Sequence, residues 1–257
     1  MIRLVSGVAL AAAALAAVLF LPSSVLRIIA ALVAALAASE YLRIVDVGRP
    51  APGALPLLLL VALTAWWIFD PTRNPLALLV VGLGWVAIEV VFRGLKIDHA
   101  AARFFAAVYL GVPMGLLAAT HAGGGPSAAL LLMGTVVASD TAQYYSGRLL
   151  GRHPLAPAIS PKKTIEGALG GVLFAALFVA VVGTWVFPMA RRVTLALVGV
   201  AIAALGICGD LFESRLKRAA GVKDSSTLIP GHGGVLDRID ALLFASPAFY
   251  LYMRVLT

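Results

Sequence analysis

Charged residues are scarce in this sequence. Only 12% of its 257 residues are Asp, Glu, Lys or Arg, whereas a soluble domain carries about 25%. Hydrophobic residues make up 61% of the chain, and the mean hydropathy is +1.00. This composition excludes an ordinary soluble globular domain and indicates that lipid is the main solvent of the protein.

Cysteine and runs of like charge are also scarce. Cys208 is the single cysteine and lies in an apolar run, so no intrachain disulfide can form. The formal net charge is +8, but no block of basic residues is long enough to indicate a nucleic-acid-binding tail. We therefore expect no nucleic-acid partner, and we attribute the basic excess to membrane topology.

Long apolar segments dominate what remains, and a bilayer-spanning helix needs about 20 such residues. The segments are Val5–Leu21, Val25–Leu42, Leu55–Phe69, Leu76–Phe92, Ala100–Ala119, Ala128–Leu150, Gly167–Phe187, Thr194–Ala219 and Leu236–Leu256. The third is short and the fourth marginal. Turn signals separate them, namely "LPSS", "GRPAPG", "DPTRNP", "AGGGPS" and "FPMARR".

These segments predict an all-α, polytopic integral membrane protein with about nine transmembrane helices. We expect a single transmembrane domain over residues 1–257, in which residues 1–120 form the N-terminal helices and residues 128–257 carry the polar loops. Because a second apolar run follows the first almost at once, we expect the first to be a retained helix and not a signal peptide.

The distribution of basic residues predicts the orientation. If the segments alternate across the bilayer, fifteen of the twenty Lys and Arg residues fall on the side of the N-terminus. The positive-inside rule places that side in the cytoplasm. The N-terminus and the polar loops 151–166 and 220–235 are then cytoplasmic, in a bacterial-type inner membrane.

Two apolar segments carry polar stripes at helical spacing. One consists of Asp140, Gln143, Tyr144 and Gly147; the other consists of Asp210, Glu213, Ser214 and Lys217. An ionised carboxylate at bilayer depth costs at least about 2.5 kcal/mol, so it should face a cavity or a cation. The alternative, a buried ion pair that locks two helices, stays open for Asp140 and is less favoured for Asp210. For Glu40 and Glu89, interfacial charges or packing partners are the favoured interpretation.

The loop "KDSSTLIPGHGGVLDRID", residues 223–240, is the most polar part of the chain. Its glycines can bring backbone N–H groups close to an anion. Asp237 and Asp240 share one face of the next helix, where carboxylates can hold a hard divalent cation. Basic residues surround them: Arg215, Lys217, Arg218, Lys223 and Arg238. A phosphate-rich ligand requires this combination, although a solvated surface loop is the plainer alternative.

A second polar loop contains "SPKKT", residues 160–164. Ser160 fits a helix N-cap and Pro161 a first helical position. A helix N-terminus with Lys162 and Lys163 attracts phosphate. Lysines that merely obey the positive-inside rule are an equally good interpretation of these residues.

The stretch "SRLKRAAGVKDSSTLIPGHGGVLDRID", Ser214 to Asp240, resembles the signature of the phosphatidate cytidylyltransferase family, also called CDP-diacylglycerol synthases. "GDLFES" and "DTAQYYSGRLLGR…LAPAISPKKTIEGALGG" resemble the family as well. The resemblance covers residues 134–257 well; the first hundred residues match only as apolar helices.

The resemblance implies that CTP and phosphatidic acid react to CDP-diacylglycerol and pyrophosphate at a cytoplasm-facing site. It implies Mg²⁺, as one ion or two, with a monovalent cation as an alternative, and it leaves a homodimer open. The expected catalytic residues are Asp210, Asp237, Lys217 and His232, and the expected metal ligands are Asp210 and Asp237, with Asp240 and Asp140 as weaker candidates. The expected substrate-binding residues are Ser160, Lys162, Lys163, Thr164, Ser214, Arg218, Lys223, Asp224, Gly233, Gly234 and Arg238. His232 could equally be a loop-ordering residue.

Two other functions compete with this one. A CTP-dependent lipid kinase acting on a polyprenol or phytol belongs to the same broad superfamily. A transporter would also carry intramembrane carboxylates, but it predicts paired broken helices in both halves, and the first half has no counterpart of "GDLFES". The chain lacks the D-G-x-x-A-R…G-x-x-x-D-x-x-x-D pattern of CDP-alcohol phosphotransferases and the G-x-x-x-x-G-K-[ST] phosphate loop.

Overall fold

The computed structural model describes residues 2–46, 54–68 and 76–255, and most of these residues are helical. The helices are α1 (Ile2–Phe20), α2 (Ser23–Val45), α3 (Ala54–Ile68), α4 (Leu76–Val91), α5 (Ile97–Ala106), α6 (Val112–Leu150), α7 (Ile165–Val186), α8 (Arg192–Ala219) and α9 (Leu236–Val255). A π-helical turn, Ala107–Gly111, joins α5 to α6. The turn signals "GRPAPG" and "DPTRNP" lie almost entirely outside the described residues.

The surface of α7 explains why these helices require lipid. Its outer face repeats every four residues and consists of the exposed side chains Ile165, Leu169, Leu173, Leu177, Val181 and Trp185. Its inner face consists mainly of small residues, which are buried: Gly167, Gly171, Ala175, Val179 and Gly183. Large apolar groups outside and small groups at helix interfaces are typical of membrane helices.

Four helical stretches are long and apolar enough to cross a membrane, namely Ser23–Val45, Ile97–Leu150, Ile165–Val186 and Arg192–Ala219. Three shorter apolar helices accompany them in the described residues. The predicted all-α, membrane-type architecture is therefore confirmed, whereas nine spans and the orientation stay predictions.

The predicted break at "AGGGPS" is a kink inside α6. Gly125 has φ 71° and ψ −175°, and Pro126 follows it. A positive φ favours glycine, and proline lacks the N–H that a continuing helix would use. The breaks at "LPSS" and "FPMARR" are present as well, since α1 ends at Phe20 and α7 at Val186.

The chain forms two compact units. The first comprises Met1–Ala119 and Ala219–Arg238, and the second comprises Thr120–Arg218 and Ile239–Thr257. From the sequence we predicted a single transmembrane domain whose two parts meet near residue 120. That the chain is one domain stays a prediction. The sequence did not predict that residues 219–238, the core of the polar loop, pack with the N-terminal helices.

In the first unit α2 packs on α3, and α3 packs on the π-helical turn. A buried ion-pair network ties its helices together. Arg103 Nη2 lies 2.8 Å from Asp46 Oδ2, and Arg103 Nη1 lies 3.2 Å from Glu89 Oε2. Glu89 is also paired with Arg93. Glu89 is thus the packing partner that the sequence favoured.

In the second unit Leu195, Ile202 and Phe249 are fully buried. Gly209 of α8 packs against the backbone of α9 at Asp240, and Phe212 lies 5.6 Å from Phe244 between ring centroids. The unit also contains a short antiparallel hairpin, β1 (Pro154–Ala156) and β2 (Ser160–Thr164), which the all-α prediction missed.

Candidate active site

A polar cavity of about 410 Å³ lies in the first unit, within the loop between α8 and α9. Its lining includes Lys223, Asp224, Ser226, Thr227, His232 and Arg238. We call residues 223–238 the glycine loop and this space the loop cavity. Five of the substrate-binding and catalytic residues predicted from the sequence therefore line the same cavity: Lys223, Asp224, His232, Gly233 and Arg238.

Asp237 holds the glycine loop in shape. Its Oδ2 accepts hydrogen bonds from Ser225 N at 2.9 Å, Ser225 Oγ at 2.8 Å and Gly234 N at 2.7 Å. Gly233 has φ 78°, and a Cβ there would lie 2.5 Å from Asp237 Oδ2. The turn around this carboxylate therefore requires glycine.

Glu40 of α2 is a second carboxylate in the same loop. Its Oε1 accepts from Ser226 Oγ at 2.7 Å and from Val235 N at 3.0 Å. Its Oε2 accepts from Ser225 Oγ at 2.9 Å and from Leu236 N at 2.8 Å. Glu40 is 2% exposed. Glu40 is therefore a packing partner, which was the favoured interpretation of the sequence. Its partner is the glycine loop, and the sequence did not reveal this.

His232 is held by α1. Ser6 Oγ lies 2.9 Å from His232 Nδ1 and donates to the carbonyl of Pro230 at 3.1 Å. Because a hydroxyl has one proton and the carbonyl can only accept, His232 Nδ1–H donates to Ser6. The other ring nitrogen, Nε2, lies close to α1, since a Cβ at Gly7 would be 3.2 Å from it.

A second cavity, of about 440 Å³, lies in the second unit. All four residues of the first predicted stripe line it, namely Asp140, Gln143, Tyr144 and Gly147. Lys162, Lys163, Thr164 and Asp210 contribute further to its wall. We call it the carboxylate cavity. The stripe thus faces a cavity, as the cost of burying its carboxylate in lipid requires.

The carboxylate cavity contains an ion pair. Lys163 Nζ lies 2.5 Å from Asp210 Oδ2, and both side chains are partly exposed. Ser214 Oγ donates to Asp210 Oδ1 at 3.3 Å, and Gln143 Nε2 donates to Asp140 Oδ1 at 3.0 Å. Asp240 lies within electrostatic reach of both Asp140 and Asp210. Three carboxylates and a lysine therefore share one polar region.

The hairpin that presents the lysines corrects one prediction. Ser160 is not the N-cap of a helix, and Pro161 does not begin one, because Ser160–Thr164 forms strand β2. Thr164 is the N-cap of α7, and its side chain accepts from Gly167 N at 3.1 Å. A residue before proline prefers extended backbone, which suits a strand at Ser160 better than a helix start.

Glu166 ties the hairpin to α7. It accepts from the backbone N–H groups of Arg152 at 3.0 Å and His153 at 3.3 Å, and its Oε1 lies 2.6 Å from His153 Nδ1. These contacts close the loop that carries Lys162 and Lys163. The sequence carries no local signal for these contacts, because Glu166 and its partners are 13 and 14 residues apart.

Two predicted phosphate ligands on α8 have protein partners. Lys217 is paired with Glu213 one turn earlier, and both are buried. Arg218 Nε lies 3.5 Å from the carbonyl of Ile159. Lys217 is thus not simply exposed to solvent. Glu213 belongs to the second predicted stripe, and it was not predicted as the partner of Lys217.

The predicted metal ligands differ in how well they fit Mg²⁺. Among the described residues, no group of three or more His, Cys, Asp or Glu side chains is arranged to hold a metal ion. The chemistry of Asp140, Asp210 and Asp240 still fits a hard cation, since they offer carboxylate oxygens in one region and one of them already attracts an ammonium group. Asp237 fits less well, because its Oδ2 accepts three hydrogen bonds from the loop.

The sequence pattern of the cytidylyltransferase family matches residues 1–256. The match includes the N-terminal helices, which resembled the family only as apolar segments.

Curated proteins match parts of the chain. YnbB, an uncharacterised protein of Escherichia coli K12, is 41% identical over 139 residues, which are 54% of this chain and 46% of YnbB. The phosphatidate cytidylyltransferase of Aquifex aeolicus is 46% identical over 115 residues, 45% of this chain and 42% of that enzyme. That of Helicobacter pylori J99 is 41% identical over 149 residues, 58% and 55% of the two chains. The chain spans about half the length of the curated relatives it matches.

Proposed function

Because the chain belongs to the cytidylyltransferase family, we propose that it transfers the cytidylyl group of CTP to phosphatidic acid. A phosphate oxygen of the lipid attacks the α-phosphorus of CTP, the bond from that phosphorus to the β-phosphate oxygen breaks, and pyrophosphate leaves. The products are CDP-diacylglycerol and pyrophosphate. The observation that carries the proposal is the loop cavity, which the signature-like residues 223–238 line.

The attacking oxygen is already anionic, so the reaction needs no strong general base. Its difficulty is the repulsion between a triphosphate and a phosphate monoester. Cationic side chains reduce that repulsion when they are placed where charge develops. Lys223 and Arg238 line the loop cavity, and Lys162 and Lys163 line the carboxylate cavity. Each cavity therefore offers cationic groups to a phosphate ligand.

The proposed cofactor is Mg²⁺, as one ion or two. Asp140 and Asp210, which line the carboxylate cavity, would supply oxygen ligands to it, with Asp240 as a weaker candidate. When bound, it would neutralise phosphate charge and stabilise the pyrophosphate leaving group. Asp237 remains a predicted ligand, supported by the signature and opposed by its hydrogen bonds within the loop. Lys163 would either hold the Asp210 carboxylate in place or leave it and bind a phosphate oxygen of the substrate.

The proposed test uses the purified full-length protein in detergent or vesicles with labelled CTP and phosphatidic acid. CDP-diacylglycerol and pyrophosphate should form in equal amounts. A parallel reaction with a polyprenol as acceptor distinguishes a CTP-dependent lipid kinase, which would release CDP and form a lipid monophosphate. If neither lipid product forms while CTP binds, the proposed activity is wrong.

The proposed topology has nine spans, a cytoplasmic N-terminus and a cytoplasm-facing site in the inner membrane. Pro157, Leu228 and Ser127 are exposed, so single cysteines at these positions, in a Cys208→Ser background, report their sides. Cysteines at 157 and 228 should react only from the cytoplasm, and one at 127 only from outside. The reverse pattern would overturn the orientation. A homodimer would appear as twice the chain mass in detergent.

A further inference from the structure

Glu40 is the carboxylate of helix α2, and four hydrogen-bond donors surround it. Two are hydroxyl groups, of Ser225 and Ser226, and two are backbone N–H groups, of Val235 and Leu236. Each carboxylate oxygen accepts from one hydroxyl and one N–H. The side chain is 2% exposed. A buried carboxylate with this number of donors is a fixed anchor and not an incidental surface charge.

The N–H groups that Glu40 accepts belong to the start of α9. The first N–H groups of a helix have no partner within the helix. A negative charge there is also stabilised by the helix dipole. Glu40 therefore caps α9 from a helix that lies about 190 residues earlier in the chain. This contact fixes the end of the glycine loop, and the two serine contacts fix its beginning.

Ser225 connects the two carboxylates of this region. Its Oγ lies 2.9 Å from Glu40 Oε2 and 2.8 Å from Asp237 Oδ2. Its single proton serves one of the two carboxylates at a time. Gly234 closes the arrangement, since a Cβ there would collide with both Ser225 Oγ and Glu40. These contacts constrain the same loop from which Lys223, His232 and Arg238 line the loop cavity.

We infer that Glu40 is a positioning residue for the cytidylyl transfer: it touches no substrate, and it holds the glycine loop in the conformation that aligns the loop-cavity cations. This inference rests on the proposed function for its catalytic consequence. It gives the N-terminal helices a role in the reaction, through α2.

Three substitutions test it. Glu40→Gln keeps the shape of the side chain but replaces one carboxylate oxygen with an NH₂ group. The hydroxyl and the backbone N–H that donate to that oxygen then lose their acceptor. Glu40→Asp keeps the charge but shortens the reach by a methylene. Glu89→Gln is the matched control, because Glu89 is also 2% exposed and lies in the same unit but binds Arg93 and Arg103 instead of the loop.

The first readout is hydrogen–deuterium exchange of peptides covering residues 225–238. In Glu40→Gln the amides of Val235 and Leu236 should exchange about 10-fold or more faster than in the wild type, and peptides from α7 and α8 should be unchanged. Glu89→Gln should leave exchange in the loop unchanged. This readout does not depend on turnover.

The second readout is steady-state kinetics. Glu40→Gln should lower kcat/KM for CTP by about 10- to 100-fold, because misplaced cations weaken binding of the nucleotide and of the transition state. Glu40→Asp should recover part of the loss, since it restores the charge. Glu89→Gln, assayed at a temperature at which it is fully folded, should keep kcat and KM within about twofold of the wild type, because the partners of Glu89 are Arg93 and Arg103 and not the glycine loop.

The outcomes separate the inference from the proposed function. Wild-type activity with normal loop exchange and kinetics in Glu40→Gln would overturn the inference. Equal losses in Glu40→Gln and Glu89→Gln would also overturn it, because they would indicate a general effect on folding. If Glu40→Gln does not fold, Ser226→Ala removes the hydrogen bond to Glu40 together with the one that Ser226 Oγ accepts from Leu228 N, and unchanged loop exchange in that variant would count against the anchor. No CDP-lipid from the wild type, together with faster loop exchange in Glu40→Gln, would refute the proposed function and leave the anchor standing.

Discussion

The glycine loop and the carboxylate cavity use carboxylates in different ways. At the glycine loop, Asp237 and Glu40 accept hydrogen bonds from backbone N–H groups and serine hydroxyls of the loop. In the carboxylate cavity, Asp210 is paired with Lys163, and Asp140 is bound by a neighbouring amide. Asp237 and Glu40 therefore fix the backbone of the glycine loop, whereas Asp210 and Asp140 present negative charge to a cavity.

This difference indicates which acids a cation can reach. Oδ2 of Asp237 already accepts hydrogen bonds from Ser225 and Gly234, so this oxygen binds a metal only by giving them up. A carboxylate paired with a lysine exchanges one cation for another. We therefore expect substitutions in the carboxylate cavity to change metal dependence, and substitutions in the glycine loop to change the geometry of the loop.

The largest effect is expected for Asp210→Asn. The amide keeps the shape but loses the charge that pairs with Lys163 and would hold Mg²⁺, so activity should fall by about 100-fold or more. The Mg²⁺ concentration for half-maximal rate should rise, and excess chelator should abolish the wild-type activity until Mg²⁺ is added. Asp98→Asn, at an exposed acid, is the control. Near-normal turnover of Asp210→Asn would remove this residue from the site.

A smaller loss of activity is expected for Asp237→Asn. If this variant behaves like Asp210→Asn, the distinction between loop-shaping and cation-binding carboxylates is wrong. Asparagine retains one acceptor oxygen, so part of the hydrogen bonding from Ser225 and Gly234 survives. We expect a roughly 10- to 30-fold lower kcat/KM with an unchanged Mg²⁺ dependence. A strongly raised Mg²⁺ requirement would instead support the sequence prediction that Asp237 is a metal ligand.

The two lysines of strand β2, Lys162 and Lys163, should differ in their effect on activity. Lys163 pairs with Asp210 and is partly buried, whereas Lys162 is exposed. Lys163→Ala should therefore lower activity by about 10-fold or more, and Lys162→Ala by less. Lys163→Arg should be partly tolerated, because a point-charge contact needs no fixed fork. A rise in KM for CTP alone would indicate ground-state binding, and a fall in kcat would indicate contact with developing charge.

The same lysines test the plainer interpretation of the hairpin. If they only obey the positive-inside rule, the double variant Lys162→Ala, Lys163→Ala should stay within about twofold of the wild type in both constants. That result would remove strand β2 from the reaction.

The sequence predicted the helices well because their signal is local. Each apolar segment contains its own evidence, so the predicted Leu76–Phe92 and Leu236–Leu256 end within a residue of α4 and α9. The stripe of Asp140, Gln143, Tyr144 and Gly147 also follows from helical periodicity alone, and all four residues line one cavity.

The remaining features depend on contacts between distant residues. Nothing in the sequence around Glu40 indicates that Leu236 is its partner, because the two residues lie almost two hundred positions apart. Ser160 and Pro161 satisfied the pattern of a helix start, but tertiary contacts of Glu166 and the competing cap at Thr164 favour a strand. Burial cost predicted that these acids need partners, and only the fold identifies the partners.

The smallest effect is expected for Ser6→Ala, which tests the role of His232. Ser6 accepts from His232 Nδ1 and donates to Pro230, so its removal leaves the ring free to turn and its tautomer unspecified. If Nε2 of His232 contacts a phosphate, kcat/KM should fall by about three- to tenfold in Ser6→Ala. His232→Asn should lose more, because it removes the ring itself. Ser39→Ala, which breaks a hydroxyl contact confined to α2, should leave both constants unchanged. If His232→Asn and Ser6→Ala both keep wild-type kinetics and only lower the thermal midpoint of unfolding, then His232 orders the loop and takes no part in the transfer.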